Sequence, residues 1–261
     1  LRHSTQAPST VMKFIEFPEL PSTSTYVADH AASLESDTLV HTPSQTAGRG
    51  QRGNCWESEP GMNLTFTAIM RPDSWPARRQ FLISEAVAVA IAETLCRLSG
   101  VKCLVKWPND IYALDPASGR VGKICGILIS HSLEGSMIRH TIIGAGVNIN
   151  QTRFLSDAPN PVSLKNITGK DHDLSLLLRE LAAAIELSVK RLWSDPEFET
   201  QLHDRYMRLL WRGDGKIHTW TDMATGTRFE ASIYAIEPLG HMVLRTADSE
   251  LRRYAFKEVA F

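Results

Sequence analysis

The sequence has few cysteines, no long hydrophobic run and no excess of charge of one sign. Its cysteines, Cys55, Cys96, Cys103 and Cys125, form no C-x-x-C pair and no Cys/His spacing typical of zinc sites. Thiols this few and scattered favour a reducing compartment. The longest uncharged apolar run, residues 86–92, is far shorter than the ~20 residues that span a bilayer. We therefore predict a cytoplasmic protein with no secretory signal and no membrane association.

Charge is nearly balanced, with 28 Lys and Arg against 29 Asp and Glu and a formal net charge of −1. Non-specific nucleic-acid binding normally needs an excess of basic residues, so no nucleic-acid partner is expected. A neutral total is still compatible with a local basic pocket for a small anion. A chain of 261 residues with 43% hydrophobic residues can bury a sizeable core without disulfides or a structural metal.

Hydrophobic periodicity predicts an α/β domain in the first part of the chain. The predicted strands cover residues 11–17, 37–42, 63–70, 102–107, 110–113, 121–130 and 137–147. The predicted helices run from Ser22 or Ser24 to about residue 34, from Pro76 to near Gly100, from a cap at Asp173, and from Asp195-Pro196 to about residue 211. Turn residues between the later strands favour antiparallel pairing.

The pattern changes at the Gly-Asp-Gly of residues 213–215. From residue 216 to the end, four short strands with turns at 225–226 and 239–240 predict a small β-barrel. We therefore predict two domains, residues 1–212 and residues 213–261.

A long polar, glycine-rich stretch is the strongest functional signal. Its segment AGRGQRGNCW, residues 47–56, contains three glycines, which let backbone N–H groups approach a ligand closely. Arg49 and Arg52 can neutralise phosphate or carboxylate, and Trp56 supplies a large apolar lid. The alternative is a surface hairpin loop in which the glycines only relieve strain.

Three further segments combine polar side chains with strands. KWPND at 106–110 offers a lysine, an amide and a carboxylate for phosphates, their magnesium and a ribose, although Pro-Asn-Asp is also ordinary turn chemistry. GKICGIL at 122–128 sets Lys123 in an apolar strand, where its ammonium points into a cleft or protects a sheet edge. GAGVNIN at 144–150 ends in amides that could reach a nucleotide, or is an ordinary strand with a polar end, but it lacks the third glycine and the helix of a dinucleotide fingerprint.

In this order and spacing, GRG-x-x-G-x-x-W, KWPND, GK-x-x-GI and GAGVNIN resemble the biotin protein ligases, or biotin–[acetyl-CoA-carboxylase] ligases. The resemblance runs from about Ser22 to residues 161–164 and more loosely to the C-terminal barrel. It implies the class II synthetase and biotin–lipoyl ligase fold, α/β (α+β) with a mixed, largely antiparallel sheet, flanking helices and a small C-terminal SH3-like β-barrel. It also implies that Mg-ATP activates biotin to biotinyl-5′-AMP and pyrophosphate, and that biotin then passes to one lysine of a biotin carboxyl carrier protein.

The resemblance assigns roles to individual residues. It implies catalysis by Lys123, which contacts the carboxylate and the α-phosphate, together with Arg49 and Asp110. The implied biotin-binding residues are Ser22, Thr23, Ser24, Gln45, Gly48, Arg49, Gly50, Gln51, Trp56, Lys123 and Gly126. The implied ATP-binding residues are Arg49, Arg52, Lys106, Asn109, Asp110, Lys123 and Asn148. No resident metal site is expected, since Mg²⁺ arrives with ATP and lies near Asp110.

Two positions depart from the family pattern. Gln51 stands where members often have a further arginine that helps to retain the adenylate, and Ser24 stands where the family has asparagine. The family's glycine-rich loop is mobile without ligand and closes over it, and a glycine-rich loop anchored mainly by Trp56 fits that behaviour. Closure would shield the mixed anhydride from water.

Other functions compete with this interpretation. A lipoate–protein ligase shares the fold and the adenylation chemistry, but the loop ending in Trp56 and the KWPND run favour biotin. A biotin-responsive repressor carries an N-terminal helix-turn-helix, for which the 21 residues before Ser22 are too few. A catalytically silent adaptor is disfavoured by the intact Lys123 and Arg49. The expectation is a monofunctional ligase, either a monomer or a homodimer.

Overall fold

The computed structural model describes residues 12–156 and 160–261, apart from the side chain of Arg52. The helices are α1 (Thr23–Asp29), α2 (Gln80–Ser99), α3 (Leu164–Thr168), α4 (Leu174–Ser194) and α5 (Pro196–Leu209). A first group of strands comprises β1 (Lys13–Glu16), β2 (Thr38–Thr42), β3 (Leu64–Met70), β4 (Cys103–Lys106), β5 (Asp110–Leu114), β6 (Val121–Glu134) and β7 (Met137–Val147). A second group comprises β8 (His218–Asp222), β9 (Arg228–Ile236), β10 (Met242–Thr246), β11 (Leu251–Tyr254) and β12 (Val259–Ala260).

The first group forms a seven-stranded sheet in the order β1-β2-β3-β7-β6-β5-β4. β1 and β2 pair in parallel through the crossover helix α1, and the other neighbours pair antiparallel. This confirms the predicted mixed, largely antiparallel sheet. The first predicted strand is found at Lys13–Glu16, while its initial residue, Val11, lies outside the described residues.

The two faces of this sheet pack against different helices. Side chains alternate along a strand, so neighbouring buried residues belong to opposite faces. Leu39, Ala68 and Ile143 belong to the main core with α2, α4 and α5, whereas Val40 and Ile69 pack with Val27 of α1 in a smaller core. The smaller core fills one part of its face, and the candidate site lies farther along that face.

Local capping explains most helix ends. The Asp173 carboxylate accepts from the Leu176 backbone N–H at the start of α4, and Gly100 ends α2 in the left-handed region at φ 73°. Helix α1 stops at Asp29, earlier than the predicted residue 34. There the Ser33 hydroxyl donates to the His30 carbonyl, and such local bonds compete with helix continuation.

Two short elements differ from the prediction. Helix α3 begins at a capping box between Ser163 and Asn166 and has only five residues. The C-terminal sheet has five strands, not four, because the two-residue β12 pairs antiparallel with β8. Its strand order is β11-β10-β9-β8-β12.

The C-terminal sheet contacts the first sheet and α2 directly. The buried Trp107 Nε1 donates to the Gly240 carbonyl at 3.0 Å, and Gly240, at φ 88°, lies against the Phe81 ring. The division at residues 212 and 213 remains a prediction. Among the described residues, no helix is both long and apolar enough to cross a membrane.

Candidate active site

A cavity of about 880 Å³ opens on the sheet face that carries α1. It is lined by α1, the glycine-rich loop, the turn between β4 and β5, the strands β5, β6 and β7, and the end of the C-terminal sheet. The four segments selected from the sequence therefore meet at one place, although they are far apart along the chain.

Two glycines form the floor under Trp56. Gly126 of β6 and Gly146 of β7 are opposite each other in the sheet register. A Cβ on either residue would overlap the Trp56 indole, so the missing side chains create the space in which the ring lies. The Trp56 Nε1 donor is buried and makes no hydrogen bond to the described residues.

The loop ahead of Trp56 is held by its own backbone. The Trp56 N–H donates to the Gly48 carbonyl at 2.9 Å, and the Gly50 N–H donates to the Asn54 carbonyl at 2.7 Å. Gly48 is tightly enclosed, since a Cβ there would overlap the Trp56 carbonyl. The Arg49 guanidinium is exposed and reaches the Thr25 hydroxyl at 3.4 Å.

Uncharged polar groups line one side of the cavity. The Gln45 Oε1 accepts from the Thr23 backbone N–H at 2.9 Å and from the Thr23 hydroxyl at 3.2 Å. Thr67 donates to the Thr23 hydroxyl at 2.9 Å and lies 3.2 Å from the Ser24 hydroxyl. These bonds fix the orientation of the hydroxyl and amide groups without introducing a charge, which suits a neutral polar ligand group.

A lysine–carboxylate pair occupies the other side. The Lys123 Nζ lies 2.7 Å from Asp110 Oδ2 and 5.8 Å from the centroid of the Trp56 ring. β6 lies between β7 and β5, so the alternative that Lys123 protects a sheet edge is excluded. Gly122 lets residues 160–162 pass close to β6, where the Lys123 N–H donates to the Asn160 carbonyl at 2.7 Å.

Lys106 is a second cation on this side. It opposes Asp110 across the β4–β5 turn, and its ammonium donates to the Tyr112 hydroxyl at 3.2 Å. Burial makes the largest contribution and lowers the pKa of Lys106. The nearby charges of Lys123 and Arg212 also lower this pKa, whereas Asp110 raises it. Burial raises the pKa of Tyr112 to about 12, so its hydroxyl stays neutral at physiological pH.

Most of the residues selected from the sequence line the cavity: Thr23, Ser24, Gln45, Arg49, Gly50, Gln51, Trp56, Lys106, Asp110, Lys123 and Gly126. Four are placed elsewhere among the described residues, namely Ser22, Gly48, Asn109 and Asn148, all of them buried. Ser22 caps α1 by accepting from the Thr25 N–H, and Asn148 donates to the Lys123 carbonyl at 3.4 Å while its own Oδ1 has no partner. Ser22 and Asn148 therefore support two segments that line the cavity, the start of α1 and strand β6. The Arg52 side chain lies outside the described part.

The sequence did not indicate several lining residues. Tyr112 and Phe66 look like ordinary core residues in apolar strands. The C-terminal sheet adds Met223, Phe256, Lys257, Val259, Ala260 and Phe261, for which no local signal exists because they reach the cavity only through folding. Ser156 also lines the cavity and lies outside the segments selected from the sequence. The remaining lining residues lie within those segments, namely Asn54, Cys55, Trp107, Ile127, Leu128, Gly144, Ala145 and Gly146.

Asp110 is the only acidic side chain among the described residues that line the cavity. Within the same described part, no group of three or more His, Cys, Asp or Glu side chains could hold a metal ion. One carboxylate suits a Mg²⁺ ion that is bound mainly by the phosphates of a nucleotide, since this ion keeps few protein ligands in such sites.

Comparison with known proteins agrees with this geometry. The sequence profile of the biotin/lipoate A/B protein ligase family matches residues 16–148, just over half of the chain. The chain belongs to this family. The matched residues of this ligase domain include three of the four segments that meet at the cavity and residues 144–148 of the fourth.

Individual curated relatives are named as ligases. The bifunctional ligase/repressor BirA of Escherichia coli K12 is 34% identical over 176 residues, covering 65% of this ligase-family chain and 52% of BirA. The biotin–[acetyl-CoA-carboxylase] ligase of Mycobacterium tuberculosis is 29% identical over 165 residues, covering 60% and 57% of the two chains. The chain thus spans about half the length of the curated relatives that it matches.

The fold has solved counterparts. The structure of biotin protein ligase from Aquifex aeolicus in complex with biotin and ATP superimposes with a TM-score of 0.75 and 19% identity, covering 95% of this chain and 97% of the other. At this identity the match establishes a common fold, including the C-terminal sheet.

Proposed function

We propose that this protein is a biotin–protein ligase. It would activate biotin with ATP to biotinyl-5′-AMP and pyrophosphate, and then transfer biotin to a lysine of a biotin carboxyl carrier protein. The observation that carries this proposal is one cavity in which a neutral hydrogen-bonding group (Thr23, Ser24 and Gln45) and a cationic group (Lys106 and Lys123) occupy different walls.

The neutral wall fits the ureido ring of biotin. This ring presents one carbonyl and two N–H groups, and hydroxyl and amide side chains match them without paying for the burial of a charge. Trp56 and the apolar strand residues Ile127 and Leu128 supply a wall for the valeryl chain. The Mycobacterium tuberculosis relative, which is named for biotin, and the Aquifex aeolicus structure, which contains it, support this choice of ligand.

The cationic wall fits the carboxylate and the phosphates. Biotin's carboxylate and the α-phosphate are both anionic, so their reaction depends on neutralisation and alignment. Lys123 would leave its ion pair with Asp110 and bind these two anionic groups instead. Arg49 and Lys106 would contact the phosphates. Asp110 would hold Mg²⁺ together with the phosphates, and the ion would neutralise charge on them.

The chemistry would proceed in two steps. In the first, a biotin carboxylate oxygen bonds to the α-phosphorus and pyrophosphate leaves with the electron pair of the broken P–O bond. In the second, the acceptor lysine amine bonds to the acyl carbon, AMP leaves, and the amine loses a proton. Asp110, once separated from Lys123, is the only acidic side chain among the described lining residues, and it would position that amine or accept the proton.

The decisive experiment is incubation with Mg-ATP, labelled biotin and a carboxyl carrier domain. Covalent labelling of the carrier is expected, and no labelling under conditions where a known ligase labels the same carrier would disprove the proposal. The Lys123→Ala variant should lose adenylate formation by about a hundredfold or more while retaining most of its biotin affinity, because it removes charge stabilisation from the reacting groups. A parallel loss of biotin affinity would contradict this division of roles.

Lipoate is the competing substrate because it shares the adenylation chemistry. Biotin with Mg-ATP should raise the melting temperature far more than lipoate with Mg-ATP, since stabilisation follows ligand affinity. A larger shift with lipoate would identify a lipoate ligase.

A further inference from the structure

Lys106 is placed differently from Lys123, although both line the same cavity. Lys123 is paired with a carboxylate, Asp110, at 2.7 Å. Lys106 has no carboxylate within ion-pair distance among the described residues. Its ammonium instead donates to the Tyr112 hydroxyl and lies close to aromatic rings.

Three aromatic rings lie beside the Lys106 ammonium. Its Nζ lies 5.2 Å from the centroid of Tyr112, 5.9 Å from that of Trp211 and 5.0 Å from that of Phe261. The rings are stacked on each other, with centroids 5.2 Å apart for Tyr112 and Trp211 and 5.3 Å apart for Trp211 and Phe261. We call these three residues the aromatic triplet.

The triplet is assembled from three distant parts of the chain. Tyr112 belongs to β5, Trp211 follows α5, and Phe261 follows β12. The Trp211 backbone N–H donates to the Val105 carbonyl at 2.8 Å, which fixes that ring beside the strand that carries Lys106. Ring faces attract a cation through their quadrupole but carry no net charge. The triplet therefore stabilises the ammonium without neutralising it.

We propose that Tyr112, Trp211 and Phe261 are positioning residues that hold the uncompensated charge of Lys106 for the phosphates of the nucleotide. This inference rests on the proposed function for the identity of the nucleotide. The Tyr112 hydroxyl accepts from the Lys106 ammonium and directs it, while the rings limit its other orientations. The C-terminal sheet thus takes part in phosphate binding through Phe261.

The pH dependence of binding separates this role from a purely structural one. The charged groups facing Lys106 are Asp110, which raises its pKa, and Lys123 and Arg212, which lower it, while burial makes the largest contribution and lowers it. The ammonium therefore loses its proton at lower pH than an ordinary lysine, and affinity for ATP should fall as the pH rises into the alkaline range. Tyr112→Phe leaves the ring but removes the hydrogen bond that stabilises the charged ammonium of Lys106. The pKa of Lys106 should therefore drop further, and the affinity for ATP should begin to fall at lower pH.

The experiment is calorimetric titration of the full chain with Mg-ATP between about pH 7.5 and pH 10. Tyr112→Phe should weaken binding about fivefold at the lower pH and move the alkaline fall down by about half a unit. Phe261→Leu should weaken binding by a similar factor because it removes one ring. Lys106→Arg should abolish the alkaline fall in ATP affinity that comes from this side chain, since a guanidinium stays charged throughout the range.

Tyr234→Phe is the matched control. Tyr234 also packs against a cation, Arg245, with the guanidinium carbon 4.0 Å from the ring centroid, but it lies on β9 and does not line the cavity. This variant should bind Mg-ATP like the wild type at every pH. Melting temperatures of all variants would show that they are folded.

The possible failures are distinguishable. If Tyr112→Phe and Phe261→Leu bind Mg-ATP as the wild type does at every pH, the positioning role is wrong, whatever the biotin transfer assay shows. If the wild type binds Mg-ATP with the expected pH dependence but transfers no biotin, the proposed function is wrong and the positioning role stands. If the wild type binds no Mg-ATP, both are wrong.

Discussion

At the level of single residues, the position of Trp56 depends on the absence of side chains at two glycines. Gly126 and Gly146 face each other across β6 and β7, and the indole occupies the space that side chains would fill. Any side chain at these positions competes with the ring for this space. The orientation of Trp56, and with it the width of the cavity, is therefore set by the sheet beneath it.

Replacement of Gly146 by alanine should displace Trp56. The new Cβ would overlap three atoms of the indole, and relieving such an overlap typically costs about 1–3 kcal/mol. Since Trp56 lines the cavity, we expect biotin affinity to fall by about tenfold or more, as measured by calorimetric titration.

Gly135→Ala is the comparison for this prediction. Gly135 lies in the turn between β6 and β7, at the far end of the same strand pair, and does not line the cavity. It has φ 61° and a Cβ there would meet nothing within 4 Å, so alanine adds backbone strain of about 1 kcal/mol without reaching Trp56. This variant should bind biotin like the wild type, and equal losses in the two variants would show that the Trp56 contact does not matter.

Single residues also show what the sequence could reveal about the site. Lys123 stands out because a lysine within an apolar strand needs a reason, and the structure places it in the cavity. Tyr112 does not stand out, because an aromatic residue in a strand is usually core. Its proximity to Lys106 and Lys123 follows from the strand register, since Tyr112 lies opposite Lys123 next to a register shift. No sequence pattern predicts this register.

At the level of secondary structure elements, α2 and α5 are joined by a partly buried ion pair between Glu85 and His203. The His203 Nδ1 lies 3.0 Å from the Glu85 Oε1, and Glu85 is almost fully buried while its Oε2 has no partner. The hydrogen bond to Glu85 raises the pKa of His203, and burial raises the pKa of Glu85. Glu199 and Asp204 act on His203 in the same direction as Glu85.

His203→Gln should lower the free energy of unfolding by about 2 kcal/mol at pH 6, because it removes a charged partner from a buried carboxylate. A folded-state pKa above the unfolded value means that the contribution is complete below about pH 6.5 and is lost as the pH rises through the raised value. The difference between wild type and variant, measured by urea unfolding, should therefore shrink from about pH 6 to pH 8.

His218→Gln is the control for this experiment. His218, the first residue of β8, pairs with Asp214 at 2.7 Å, but that carboxylate lies near the surface, four residues before the strand. Surface pairs contribute little, so its effect should stay within about 0.5 kcal/mol. A pH-independent difference for His203→Gln would contradict the ion-pair explanation.

Length decides which elements the sequence predicts. Helices α2 and α4 have 20 and 21 residues with clear caps at Gly100 and Asp173, and both were predicted. Helix α3 has five residues and β12 has two, too few to show a period, so neither was expected. Their stability comes from tertiary contacts and pairing with distant strands, which a local pattern does not contain.

At the level of the whole molecule, the C-terminal sheet completes the cavity. It contributes lining residues from two segments, near Met223 and from Phe256 to Phe261, and it is held to the first sheet by Trp107 and Gly240. The change of pattern near residue 213 predicts a separate β unit. That this unit shares the ligand cavity could not be predicted, because the contacts join residues more than a hundred positions apart.

Gly240→Ala should disturb this attachment. The alanine would take a left-handed backbone conformation and its Cβ would overlap the Phe81 ring on α2. We expect a loss of unfolding free energy of about 2–4 kcal/mol and weaker binding of Mg-ATP, measured by urea unfolding and calorimetry.

Gly226→Ala carries the same backbone strain without the contact. Gly226 has φ 70° and a Cβ there would meet nothing within 4 Å. This variant should lose only about 1 kcal/mol and should bind Mg-ATP normally. If both variants bind Mg-ATP equally, the attachment at Gly240 does not shape the cavity.

The pairing of Lys123 with Asp110 means that the pocket carries its own counter-ion. Four cationic side chains line its described part, namely Arg49, Lys106, Lys123 and Lys257, and Asp110 already balances one of them. A ligand that reaches Lys123 exchanges one anion for another at that point. Ionic strength therefore acts mainly on the attraction exerted by the other three cations, and dissolved salt should weaken anion capture less than the number of basic residues alone implies.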